Sequence, residues 1–155
     1  MTDESVTFRT LSDSALKAEI EIKTTPDKVY AAWTKPELLP KWFGPRVGGS
    51  LQIDHFDCLV GGRYDITMVF ADGDRVQFVG KYQELVPPKR IVFTWQWTDG
   101  ATLSNETLVT VDLAPSEVGT HLTLIHERFA SAKARDDHHE GWEPLLSRLA
   151  SILTP

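Results

Sequence analysis

Few residues in this chain are suited to acid–base chemistry near neutral pH. His126 alternates with Leu122 and Leu124, so its ring points into the same buried space as theirs. A reference pKa near neutrality would let it anchor a polar ligand group or move a proton. The plainer alternative is a core histidine bonded to a backbone carbonyl. His138 and His139 read first as solvent-exposed loop histidines. His138 nevertheless lies four residues before Trp142, so one helical face could carry both.

The remaining candidates fail on spacing. His55 and Asp57 would share one face of a strand and Cys58 would not, and no second ligand pair completes a metal site, so no metal is expected. Cys58 has no neighbouring Lys or Arg to hold a thiolate and reads as a small buried residue. Asp65 and Asp112 alternate with apolar neighbours and therefore face solvent. No serine sits in a nucleophile-elbow glycine pattern. Gly48-Gly49 and Gly61-Gly62 lack the spacing and the following helix of a phosphate cradle. No catalytic set and no cofactor site is legible, which favours a binding protein over an enzyme.

Large aromatic side chains are what the chain has in quantity. Five tryptophans, seven phenylalanines and three tyrosines occur in 155 residues. The formal net charge of −6 repels phosphate backbones, which argues against nucleic acid. A single cysteine excludes an internal disulfide and fits a reducing cytoplasm. No apolar stretch approaches the roughly 20 residues of a membrane span, so no membrane insertion is expected.

The elements that must position these rings follow from periodicity. Residues 1–14 are polar and aperiodic and read as a flexible arm, leaving 15–155 as one domain. Leu16, Ala18, Ile20 and Ile22 alternate with charged residues as in a half-buried strand. Thr25-Pro26-Asp27 has the cap, first-turn proline and acid of a helix start, and Val29, Tyr30 and Trp33 supply that helix's apolar face. A second short helix starts at Pro36-Glu37, carries Leu38, Leu39 and Trp42, and stops at Gly44-Pro45.

From Val47 to Phe129 strands and turns follow at hairpin spacing, which makes the sheet antiparallel. Tyr64, Ile66, Met68 and Phe70 lead to an Asp72-Gly73 turn, and Val76, Phe78, Gly80 and Tyr82 return from it. After Pro87-Pro88 come Ile91, Phe93, Trp95 and Trp97. Two further strands carry Val109, Val111, Leu113 and then Leu122, Leu124, His126. The period then changes: Trp142, Leu145, Leu146, Leu149, Ile152 and Leu153 form a helical stripe. Pro144 should kink or restart that helix after a looser turn from Ser131.

A terminal helix with one apolar stripe must bury it, and the sheet offers the only large apolar surface. Gly80 and Gly61-Gly62 would let that sheet bend. The rings then converge on a space between sheet and helix.

The ordered segments Ala32-Trp33-Thr34, Pro36-Glu37-Leu38, Trp42-Phe43-Gly44-Pro45, Gly61-Gly62-Arg63-Tyr64, Gly80-Lys81-Tyr82, Val86-Pro87-Pro88-Lys89-Arg90-Ile91-Val92-Phe93-Thr94, Thr123-Leu124 with His126, and Gly141-Trp142 with Leu146 and Leu149 resemble the SRPBCC (START-like, helix-grip) superfamily. They look most like the branch named for homology to the activator of the ninety-kilodalton heat-shock chaperone's ATPase. The likeness runs from about residue 16 to 153. It implies an α+β helix-grip fold: about seven antiparallel strands curved around a long C-terminal helix, with a hydrophobic cavity between them. Pro144 departs from the helix pattern expected after Gly-Trp.

The superfamily includes lipid carriers, hormone receptors, polyketide aromatase/cyclases, a toxin-resistance protein and a chaperone activator, so fold does not choose a function. A small apolar or aromatic ligand is the expected partner, met by Trp33, Trp42, Phe43, Tyr64, Met68, Phe78, Phe93, Trp95, Trp97, His126 and Trp142. An enzyme of the polyketide-cyclase or hydrolase kind would instead need His126 beside Tyr64, Tyr82 or Arg63. A chaperone ATPase regulator would use the outer surface. Pairing of two such chains stays open.

Overall fold

A computed structural model describes residues 6–45 and 48–154. The first five residues of the expected arm, and Val47, at which the strand region was expected to open, lie outside that range. The elements in chain order are β1 Thr7–Ser12, β2 Ala15–Ile22, α1 Pro26–Thr34, a single 3-10 turn at Leu39–Lys41, and β3 Ser50–Phe56. Then come β4 Arg63–Val69, β5 Arg75–Val86, β6 Arg90–Thr98, β7 Thr107–Pro115, β8 Thr120–Glu127 and α2 Ala132–Leu153. All strand pairs are antiparallel, in one sheet ordered β1-β2-β8-β7-β6-β5-β4-β3.

The alternating residues keep their faces. Leu16, Ala18, Ile20 and Ile22 are buried and pair with His126, Leu124, Leu122 and Thr120; Val109, Val111 and Leu113 continue the layer on β7. The sheet has eight strands rather than seven, and the extra one corrects the reading of residues 1–14 as an arm. Most β1 side chains are exposed, so no period marks it, yet its backbone pairs with β2 from Thr7 to Ser12. Phe8 also stacks on His139 at 3.9 Å, and Arg135 Nη1 donates to the Ser12 carbonyl at 2.9 Å.

Two short helical pieces follow β2 as expected. Thr25 takes the N-cap position of α1, but its hydroxyl makes no capping bond. The Pro36-Glu37 segment tightens to the 3-10 turn around Pro40. The bend falls where glycine permits it. A Cβ on Gly80 would lie 1.9 Å from the Thr94 carbonyl oxygen and 2.6 Å from the Tyr64 ring, so only glycine fits there.

The terminal helix also corrects the sequence reading, since α2 runs unbroken across Pro144. Ser131 is a true N-cap, its Oγ accepting from the Ala134 N–H at 3.1 Å, rather than part of a loose turn. Pro144 removes the donor for the Glu140 carbonyl. Both residues are exposed, so water can replace that bond and no buried acceptor is orphaned. Trp142, Leu145, Leu146, Leu149 and Ala150 are the buried face, while Ile152 is exposed and leaves the expected stripe. No helix among the described residues is long and apolar enough to cross a membrane.

On the outer face, His121 of β8 bridges two acids of β2. Its Nε2 lies 2.8 Å from a Glu19 carboxylate oxygen and its Nδ1 contacts Glu21. Carboxylates only accept, so both ring nitrogens donate and the imidazole is charged. The bond to Glu21 raises the His121 pKa, and the bond from His121 lowers that of Glu19. The histidine's contribution to stability is complete below its unfolded pKa and is lost as pH rises through the raised value. Replacing His121 by Gln should therefore cost stability near pH 6 and almost nothing near pH 9, pH values chosen about the reference of roughly 6.5. Urea midpoints at the two pH values, equal in their response to the substitution, would contradict this.

Candidate functional site: an aromatic-walled cavity between sheet and helix

A cavity of about 400 Å3 opens between the concave face of β4, β5 and β6 and the stretch of α2 from Ala134 to Arg148. Met68, Phe78, Trp95 and Trp97 form its sheet wall, and Trp142 and Leu145 its helix wall. Phe43, Gly44 and Pro45, just after the 3-10 turn, close one end. Trp95 sits at the centre, 4.6 Å from Phe78, 5.4 Å from Trp142 and 6.0 Å from Phe43 by ring centroids.

The indole N–H groups of Trp95 and Trp142 are already bonded within the protein. Trp142 Nε1 donates to His126 Nδ1 at 3.0 Å, so the proton of neutral His126 is on Nε2, 2.7 Å from Thr107 Oγ1. Thr107 in turn donates to the Trp95 carbonyl at 2.9 Å, which closes a directed chain of three bonds. Trp95 Nε1 donates to His138 Nε2 at 3.1 Å, and His138 Nδ1 donates to the Ala134 carbonyl at 2.7 Å. Burial pushes the His126 pKa well down, and the neighbouring His138 adds to the effect. Burial lowers His138 as well, against the bond to Ala134. Both histidines are thus neutral, with each nitrogen engaged.

Of the eleven residues expected at the site, Phe43, Met68, Phe78, Trp95, Trp97 and Trp142 line the cavity. The other five do not. Trp33 and Trp42 pack 4.6 Å apart in the core, with Trp42 Nε1 donating to the Ala32 carbonyl at 3.0 Å. Tyr64 lies over Gly80 and donates its hydroxyl to the Thr94 carbonyl at 2.6 Å. With Phe93 and Trp33 it borders a separate void of about 30 Å3, room for roughly one water. His126 lies behind Trp142, fully buried.

Tyr82 is buried, its hydroxyl pKa raised by burial, and Arg63 is exposed at the start of β4. None of Tyr82, Arg63 and His126 lines the cavity. Cys58 is half-buried beyond the end of β3, its thiol pushed up by burial. Among the described residues no group of three His, Cys, Asp or Glu side chains converges as metal ligands do.

Sequence reading missed the helix wall's first half: Ala134, Asp137, His138 and Gly141, continued by Arg148 beyond Leu145. These fall at the three- and four-residue spacing of one helical face, a signal that was available. Treating 131–144 as a broken segment hid it. His138 is accordingly a wall residue of α2, not a loop histidine, while His139 is exposed against Phe8.

The comparisons with known proteins agree with this geometry. The family model described as "Activator of Hsp90 ATPase homolog 1-like protein" matches residues 23–154. A crystal structure of a protein from Chromobacterium violaceum is 30% identical, with 92% of this chain and 99% of that one covered and a TM-score of 0.82. A Silicibacter pomeroyi protein bearing the same family name is 28% identical over 90% of this chain and 97% of its own, with a TM-score of 0.80. A Rhodobacter sphaeroides protein is 26% identical over 96% and 97%, again with a TM-score of 0.82. No curated protein matches. The chain belongs to the family of proteins like the activator of Hsp90 ATPase homolog 1, within the SRPBCC superfamily.

Proposed function

We propose that this protein binds a small apolar or aromatic molecule in the cavity between sheet and C-terminal helix. One observation carries the reading: the cavity wall presents ring faces and few free donors or acceptors, because the indole N–H groups of Trp95 and Trp142 are spent on His138 and His126. A volume of about 400 Å3 falls within the usual range of small-molecule sites. Walls of this kind desolvate a flat apolar body and discriminate weakly among such bodies.

The enzymatic alternative has less support. His138 is the imidazole of the cavity wall; burial lowers its pKa, and both its nitrogens are already bonded. A role on a chaperone ATPase, which the family description suggests, would be exercised on the outer surface; recovery of a chaperone with the tagged protein would bring it forward.

N-phenylnaphthylamine, a neutral flat probe, should bind and quench tryptophan emission. Trp97→Ala or Met68→Trp should shift its dissociation constant at least tenfold, equivalent to about 1.4 kcal/mol. The first substitution removes wall area and the second fills the space. Quenching with an affinity indifferent to both would place the probe elsewhere and refute the proposal.

A further inference from the structure

We infer that the cavity takes an amphipathic acid, a flat apolar body ending in a carboxylate, and that Arg148 receives the anionic end. This rests on the cavity being a ligand site and adds the ligand's charge and orientation. Arg90, Arg135 and Arg148 are the partly buried arginines among the described residues. Arg90 pairs with Asp112 and Glu84, and Arg135 with Asp136 and Asp13. Arg148 has no carboxylate within ion-pair distance among the described residues.

Its position fixes where an anion would go. Arg148 belongs to the cavity wall, and its Nη1 donates to the carbonyls of Trp42 at 3.1 Å and Gly44 at 2.8 Å. Gly44 itself lines the cavity, so the guanidinium head lies at that end of the space. Nε and Nη2 have no partner among the described residues, leaving two donors of the planar fork for a bidentate acceptor. Such a group is always charged, and an apolar wall supplies nothing to neutralise it. The acid of the wall, Asp137, stands eleven residues earlier on α2, about 16 Å along the helix axis. Asp137 is held by Lys133 at 2.9 Å. Asp137 is thus too far away, and already paired, to neutralise Arg148, and a ligand carboxylate is drawn to the Arg148 end of the space.

The test compares naphthoate with naphthamide, alike in shape and different in charge, by calorimetry and by displacement of bound N-phenylnaphthylamine. The protein should bind naphthoate at least tenfold more tightly than naphthamide. Arg148→Gln should abolish that preference and leave naphthamide affinity within about threefold, a change under 1 kcal/mol. Arg148→Lys, which keeps charge without the fork, should retain part of it. If loss of the bonds to Trp42 and Gly44 merely loosens the wall, both ligands weaken together and the inference falls. A preference for naphthoate that survives in Arg148→Gln also overturns it. If naphthamide binds as well as naphthoate to the unaltered protein, the anion site is wrong while the cavity reading stands. Failure of the neutral probe itself to bind sinks both.

Discussion

Replacing Leu146 by alanine should lower the free energy of unfolding by about 2–5 kcal/mol, read as a fall in the urea midpoint at unchanged slope. Leu146 and Leu149 are fully buried and share one apolar cluster with Leu16, Ala18, Leu122 and Leu124. Removing a leucine there loses its transfer free energy and leaves a hole that rigid strands cannot close. Leu146 points into the core, whereas its neighbour Leu145 faces the ligand space, so the loss would not be offset by easier access to solvent. Ile152→Ala is the internal control, since Ile152 is exposed and its truncation should stay within about 0.5 kcal/mol. An unchanged midpoint for Leu146→Ala would mean that α2 does not dock on the sheet.

Stability should also fall steeply on the acid side of neutrality, before the carboxylates titrate. His126 is buried and neutral in the fold, and a proton added to Nδ1 would confront the Trp142 indole N–H. Its folded pKa is therefore depressed, and His138 shifts the same way. Below the unfolded value of about 6.5 the unfolded chain binds protons that the folded chain refuses. Stability from these two groups is complete above that pH and is lost as pH falls. The slope should approach about 1.4 kcal/mol per pH unit for each proton taken up on unfolding. His121 acts with the opposite sign, so its contribution remains as these are lost. Urea titrations at stepped pH between about 7 and 5, above the usual carboxylate range, measure the slope. A flat profile would show that His126 accepts a proton in place, which the bonded chain through Thr107 does not allow.

The sequence carried most of the fold because half-buried strands announce themselves by alternation. Leu16 to Ile22 and Leu122 to His126 are both in phase with the faces they occupy. β1 was invisible for the converse reason: an edge strand with outward side chains has no period, and its order comes from Phe8 and Arg135 meeting residues far away in sequence. Pro144 looked like an interruption of α2, close to Gly141. In the structure both lie on its exposed side at the cavity rim, where a missing Cβ and a missing N–H are tolerated. A Cβ on Gly141 would meet nothing within 4 Å, so the glycine helps leave the space empty.

The site was half legible. Alternation shows which face a ring takes, but not whether it interlocks with a ring from another element. Trp33, Trp42, Tyr64 and Phe93 face inward like Trp95, yet they pack against one another and fill the core. Which rings are left with an unfilled side depends on the path of α2 and on the chain after Leu39–Lys41, and neither is written in any local pattern.

The central claim is that the space beside Met68 is occupied by ligand, and Met68 offers a direct reporter. It is one of two methionines in the chain. A sample labelled at methionine methyl carbons therefore gives a Met68 signal assigned by its loss in Met68→Leu. Titration with N-phenylnaphthylamine should move that signal saturably and give nuclear Overhauser contacts between its methyl protons and the probe's aromatic protons. Saturable binding of the probe with the Met68 methyl unmoved and without such contacts would contradict the account.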